Sequence, residues 1–162
     1  MNERRINGVH VSESRTEQTH LLMPQHLNSA GRLFGGQLLS WIDMTAGIVA
    51  MRHTSSNVVT VAIDHLNFKD SAEKSDIVTL IGEVTYTGNT SMEVRVDTYK
   101  EKRDGIKIHI NRAYLVMVAL DDDTKRPKQI PPVILDNEEQ KVEWEAAVLR
   151  AQFRKKRRKE GF

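Results

Sequence analysis

The chain has 162 residues, of which 39% are hydrophobic and 28% charged, with a net charge of +2 and no cysteine. That size and balance predict one globular domain, and they exclude a disordered chain, a disulfide scaffold, a thiolate metal site and a cysteine nucleophile. No apolar run approaches the ~20 residues that span a bilayer, and the opening MNERRINGVH lacks the apolar core of a secretory signal, so the expected location is cytoplasmic.

Residues 1–11 are polar and without period, which predicts disorder. Residues 13–23 can hold a short strand ending before Pro24. A loop over 26–31 then leads into a long helix. Leu38, Ile42, Ala46, Val49 and His53 recur at helical spacing, and Leu39, Trp41, Met44 and Ile48 fill the other faces. A helix apolar almost all round is a buried one. After it the period switches to two. Residues 58–68 alternate Val59, Val61 and Ile63 against Thr60, Ala62 and Asp64. Residues 76–87 put Val78, Leu80, Val84 and Tyr86 on one face. Gly88-Asn89 reads as a hairpin turn of the kind that demands positive φ. Residues 90–102 follow, with Met92, Val94 and Val96 facing in and Glu93, Arg95 and Asp97 facing out. Residues 106–120 turn apolar on both parities from Ala113, which predicts cover on both faces. An antiparallel sheet wrapped around one central helix satisfies this order, and the fold class is α+β.

Pro131-Pro132 closes the sheet region. A second helix is predicted from Asp136, with Asp136 as N-cap and Glu139 completing a capping box. Val142, Ala146, Leu149 and Phe153 form its apolar stripe, with glutamates at its start and lysines and arginines at its end. Residues 154–160 carry six positive charges and one negative, so against a net +2 the rest of the chain sums to −3. A basic tail on an acidic body argues against a nucleic-acid-binding core. That tail reads as a solvated helix end, a contact for anionic groups, or a localisation patch. The organisation is an N-terminus over 1–11, one domain over 12–132 and a charged helix over 133–162.

GxSxG, HExxH, phosphate-loop and dinucleotide motifs are absent, and the six histidines show no metal-ligand spacing. Asp43 stands out as the only charge between Gly35 and Val49. An unpartnered carboxylate there costs several kcal/mol. Asp43 therefore occupies a wet helix face, makes a structural hydrogen bond, or faces a cavity with work to do. Gly35-Gly36 at the helix start either permits close packing or offers free N–H groups to a developing oxyanion.

The run NSAGRLFGGQLLSWID from Asn28 to Asp43 resembles the signature of cytosolic acyl-CoA hydrolases of the hotdog superfamily. AGIVAMRH from Ala46, VVTVAID from Val58 and VTYTGNTSMEV from Val84 continue the similarity, which runs from about Leu22 to Phe153. The resemblance implies a single hotdog domain hydrolysing acyl-CoA thioesters, with coenzyme A entering as part of the substrate and neither metal nor cofactor required. It assigns the catalytic carboxylate to Asp43, a positioning role to Asn28 and the oxyanion donor to Gly35 or Gly36. Thr60 and the turn Gly88, Asn89, Thr90 and Ser91 correspond to segments lining the coenzyme A cleft. Residues 69–75 lack the proline and glycine usual in that loop, which puts its stiffness in question.

Gly35 and Asp43 lie eight residues apart, or about 12 Å along one helix. One thioester cannot reach both, but two antiparallel helices related by a two-fold axis can offer it one group each. The expected minimal unit is a homodimer, and the resemblance suggests a trimer of dimers. A non-catalytic acyl-CoA sensor is the alternative, although no output domain precedes Glu13. A dehydratase would want a histidine on the central helix, and His53 stands far down it.

Overall fold

The computed structural model describes residues 7–64 and 66–161. In chain order the elements are β1 (Val9–His10), α1 (Val11–Ser14), β2 (Thr16–Leu21), a 3-10 turn (Pro24–His26), α2 (Gly35–Thr54) and β3 (Asn57–Asp64). They continue with β4 (Ile77–Thr87), β5 (Ser91–Glu101), β6 (Lys107–Leu120), β7 (Val133–Ile134) and α3 (Glu138–Glu160). Five strands form one antiparallel sheet in the order β2-β4-β5-β6-β3, and β1 pairs in parallel with β7. Register shifts interrupt the β3–β6, β4–β5 and β5–β6 ladders; such bulges bend strands and increase their twist. The fold is the expected α+β sheet around a long helix.

The core lies between α2 and the inner face of the sheet. Leu38, Trp41, Ile42, Ala46 and Val49 meet Leu80, Val84, Met92, Val94, Val96, Leu115 and Met117, all almost fully buried. Gly82 sets how close α2 can come: a Cβ there would lie 2.8 Å from Val49 Cγ2 and 3.1 Å from Thr45 Cγ2. Ser55 ends α2 in the left-handed conformation at φ 50°. Among the described residues no helix is long and apolar enough to cross a membrane.

Five expectations change. Irregularity does not extend through residue 11, because Val9–His10 pairs with Val133–Ile134 and Val11 is buried; residues 1–6 lie outside the described part. The β4–β5 turn needs no positive φ, since none of Gly88, Asn89 and Thr90 adopts one. Its backbone is held by Gly88 N–H donating to Ser91 O at 2.7 Å and by β6 and residue 130, whose N–H groups reach Thr90 O and Asn89 O. The alternation in β3 breaks at Val61, where the register slips. Thr60, opposite the buried Met117, therefore faces α2, whereas Asp64, opposite Tyr114, faces α3.

The last two changes concern α3. Its N-cap is Asn137, whose Oδ1 accepts from Gln140 N–H at 2.9 Å. Asp136 instead holds His10 at 2.6 Å and the Ser12 N–H at 3.0 Å, tying the start of the domain to its end. The helix also covers the sheet face read as outward, and it does so with its charged side. Val142, Leu149 and Phe153 are 65, 55 and 63% exposed, while the charged face packs on the sheet. Glu93, Arg95 and Asp97 are consequently covered. Glu93 is 0% exposed and accepts from Thr85, Arg150 and Arg154. Arg150 also bonds Glu143 at 2.6 Å and lies 3.8 Å over the Tyr114 ring, and Arg95 reaches Glu83, Asp97 and Glu143. A helix seated by ion pairs leaves its apolar stripe outside.

Candidate active site

Asp43 projects from the middle of α2, half-buried, and its Oδ1 accepts a 2.6 Å hydrogen bond from the Thr60 hydroxyl on β3. The same hydroxyl lies 3.3 Å from Met117 Sδ. The β3 bulge makes this pair possible, because it allows Thr60 to face α2 while the rest of the strand re-registers. Among the described residues no protein hydrogen bond engages Asp43 Oδ2. The acid is thus neither a bare surface group nor a saturated structural one.

Two other expected residues, Asn28 and Gly35, line an open cleft of about 250 Å³ at the start of α2, with Arg32, Leu38, Phe68 and Ala72 among its other walls. The Asn28 Oδ1 accepts from the N–H groups of Ala30 and Arg32, at 2.9 and 3.2 Å. Gly31, at φ 74°, completes this tight loop in a conformation that suits glycine. With its oxygen committed to the loop, Asn28 has its Nδ2 donor to offer. The N-cap of α2 is Phe34, which makes no side-chain capping bond, so the first helical N–H groups are left for another acceptor. A Cβ at Gly35 would touch only the Phe68 ring at 3.4 Å, whereas one at Gly36 would collide with Phe34 Cε1 at 2.6 Å. Phe34 and Phe68, both more than half exposed, flank the glycine pair.

The turn residues Gly88, Asn89, Thr90 and Ser91 lie at the Thr60 end of the sheet. Thr60 is in register with Met117, Met92 and Thr87 across β6, β5 and β4, one row before the turn. The Asn28–Gly35 cleft is toward the other end, beside Ile110, seven residues along β6 from Met117. At ~3.3 Å per residue that is roughly 23 Å. One protomer therefore joins Asp43 to Thr60, and Asn28 to Gly35, but leaves the two pairs apart.

The sequence reading missed Phe68 and Lys100. Lys100 is 8% exposed, with its Nζ 2.7 Å from Ser71 O and 2.7 Å from an Asp70 oxygen. Asn111 Nδ2 donates to Asn67 O, Lys69 N–H to Ile110 O, and Leu33 N–H to Ala72 O. The loop that lacks proline and glycine is therefore held by the Lys100 and Asn111 side chains together with backbone bonds to α2's approach and β6. The Lys100 hydrogen bond, aided by the Ser71 N–H, holds the Asp70 carboxyl below the ordinary carboxylate range. A signal for Lys100 was present in the sequence, since it continues the inward parity of Met92, Val94 and Val96. Lys100→Met is expected to speed amide exchange over residues 67–75 by about tenfold or more, the cost of a lost charged hydrogen bond. Unchanged protection would show that other contacts hold the loop.

The sequence profile of the thioesterase superfamily matches residues 30–107. An uncharacterized acyl-CoA thioester hydrolase of Bacillus subtilis is 36% identical over 148 residues, which cover 91% of this chain and 86% of that protein. The chain belongs to the acyl-CoA thioester hydrolase family. Among solved members of the family, an apo-hexameric acyl-CoA thioesterase is 42% identical, with a TM-score of 0.90 over 94% of this chain and 97% of that one. The acyl-CoA hydrolase of Staphylococcus aureus, solved with butyryl coenzyme A, coenzyme A and coenzyme A disulfide, is 33% identical, with a TM-score of 0.88 over 94% of this chain and 93% of that one. The shared architecture is the hotdog fold.

Proposed function

We propose that this family member hydrolyses acyl-CoA thioesters to a carboxylic acid and coenzyme A, at two equivalent sites shared between the subunits of a homodimer. The separation of Asp43–Thr60 from Asn28–Gly35 within one protomer carries this reading. A thioester carbonyl must lie ~3 Å from its oxyanion donor, with the attacking group equally close to the base. About 12 Å of helix divides Gly35 from Asp43. An antiparallel second α2 supplies the missing half to each site.

The face required for this pairing is uncovered. On α2, Met44 and Met51 are 48 and 47% exposed, and a Cβ on the intervening Gly47 would meet nothing within 4 Å. On β3, an open sheet edge, Val59, Val61 and Ile63 are exposed as well. Apolar surface of this kind beside a half-built site marks an interface. Further assembly into a trimer of dimers fits the hexameric relative.

At such a site the helix-start N–H groups of Gly35 and Gly36 stabilise the oxyanion, and the Asn28 Nδ2 orients the reacting oxygen. Thr60 fixes one oxygen of Asp43, leaving Oδ2 to act. Acting as base, Asp43 takes a proton from water as its oxygen attacks the carbonyl carbon. When the tetrahedral intermediate collapses, the C–S bond breaks and the proton passes to the departing thiolate. Direct attack by Oδ2 would give an anhydride that water then opens, and both routes begin from an ionised carboxylate. The turn at 88–91 lies where the rest of the coenzyme can run, and Phe34 and Phe68 offer the acyl chain an apolar wall. No metal or cofactor enters either route.

A mixing experiment tests the shared site. Gly35→Pro removes one N–H at the first helical position, where proline is tolerated after an extended residue such as Phe34. Asp43→Asn removes the base. Each variant alone should release little thiol from a panel of acyl-CoA chain lengths. Refolded together in equal amounts they should recover about a quarter of wild-type activity, since half the dimers are hybrids with one intact site in two. No recovery would assign the chemistry to single subunits. Acyl-CoA binding without thiol release by the wild type would make the protein a sensor.

A further inference from the structure

The loop that carries Asn28 is a short hairpin, and its base rests on a single indole. His26 O accepts from Phe34 N–H at 2.9 Å, Leu27 bridges Leu33, and Asn28 N–H donates to Arg32 O at 2.8 Å. Asn28 therefore sits near the tip, and the returning arm runs directly into Gly35 and α2. At the base, the His26 ring meets Trp41 of α2 edge-on, with 5.1 Å between centroids and 74° between planes. Its Nδ1 accepts from Met23 N–H at 3.1 Å, which closes the 3-10 turn. His20 of β2 lies on the same indole, stacked at 4.1 Å and 1°. Trp41 is 4% exposed and stands two residues before Asp43.

The His20 Nε2 is buried and meets no hydrogen-bond partner among the described residues. Burial, aided by His26, holds this imidazole below its ordinary value of 6.5. An imidazolium would gain attraction from the indole face, but without an acceptor its desolvation is the larger cost. Charged groups on the elements packed around the stack are engaged elsewhere. Glu17 of β2 meets Arg15, Arg52 of α2 donates to Thr16, and Asp43 of α2 is held by Thr60. Asp76, before β4, accepts from Glu73 N–H, and Arg32 of the hairpin lines the cleft. A proton on His26 Nδ1 would remove the acceptor for Met23 N–H, and charge on both rings would repel across the indole. Two imidazoles on one buried ring thus hold the hairpin only while they are neutral.

We propose that His26 is a positioning residue for thioester hydrolysis: seated with His20 on Trp41, it fixes the hairpin that sets Asn28 and the first α2 N–H groups against the substrate, and protonation of the pair releases that hairpin. The proposal rests on the reading of Asn28 and Gly35 as site residues. The seat is complete above the ordinary histidine value of 6.5, and it weakens as pH falls from there through the lowered value of His20.

Three measurements on the full-length protein test this. In a Trp144→Phe chain Trp41 is the one remaining tryptophan. Its emission should change as pH drops from about 7.5 to about 5, and the change should be absent once His20→Phe/His26→Asn is added. Over the same range kcat for thiol release should fall about threefold or more further in the wild type than in His20→Phe/His26→Asn. A purely structural role would lower the melting temperature without moving that ratio. At neutral pH, His26→Leu should lower kcat about tenfold, the loss of one hydrogen bond at the hairpin base. His26→Asn should restore most of it, because its Oδ1 can accept from Met23 N–H in place of the imidazole. An acid limb that survives His20→Phe/His26→Asn would overturn the proposal, and so would a flat Trp41 signal or wild-type kcat in His26→Leu. A pH-dependent Trp41 signal without thiol release at any pH would sustain the seat and overturn the hydrolase reading instead.

Discussion

Asp43→Asn should lower kcat for thiol release by about 10²–10⁴-fold, the usual contribution of a positioned base, with little change in thermal stability. The asparagine is nearly isosteric, and its oxygen still accepts from the Thr60 hydroxyl that now lies 2.6 Å from Asp43 Oδ1. Packing around α2 is therefore preserved and the loss is chemical. What disappears is the anionic oxygen proposed to take a proton or attack carbon, and α2 offers no substitute, because Asp43 is the only charged residue between Gly35 and Val49. Thr60→Val should be milder, since it frees Oδ1 without removing the charge, and its effect should appear in kcat rather than in folding. Turnover by Asp43→Asn within a few-fold of wild type would end the assignment of this carboxylate.

The second large effect concerns stability. Arg150→Met/Arg154→Met strips the two guanidinium groups from Glu93, which is 0% exposed, and leaves the Thr85 hydroxyl as its partner. A buried carboxylate left without compensation costs about 3–5 kcal/mol. The double variant should unfold at correspondingly lower denaturant, measured at equal chain concentration. Adding Glu93→Leu should recover much of that loss, because an apolar trio of similar volume often equals a buried ion cluster. A double variant as stable as the wild type would mean that α3 is held by Trp144 and Ala147 rather than by charge. The acid limb has the same origin. Burial pushes the Glu143 carboxyl up, but hydrogen bonding and charge from Arg150, with Arg95, outweigh it and hold the group below the ordinary range. Its stabilisation is thus present at neutral pH and is lost as pH falls through that depressed value.

Much of this was legible before any coordinates. Hydrophobic period is a local property, so α2, the order of the strands and the inward parity of Met92, Val94 and Val96 could be read directly. Asp43 could be singled out because charge is costly in such company, and Gly35-Gly36 because glycine is costly within a helix. The motif from Asn28 to Asp43 was sufficient to suggest the family to which the chain belongs.

What stayed hidden depends on partners distant in the chain. Glu93 reads as an outward residue until Arg150 and Arg154, 57 and 61 positions away, close over it. The stripe of α3 states that something apolar will cover it, but not that the sheet will take the opposite, charged face. A single extra residue at Val61 reverses parity, sending Thr60 to the acid and Asp64 to α3. The sequence by itself determined which residues carry unusual cost. Only the tertiary structure decided which of those costs are met within one chain, as at Glu93, and which are left open, as at Asp43 Oδ2 and the first N–H groups of α2, because charge and shape complementarity belong to surfaces and not to runs of residues.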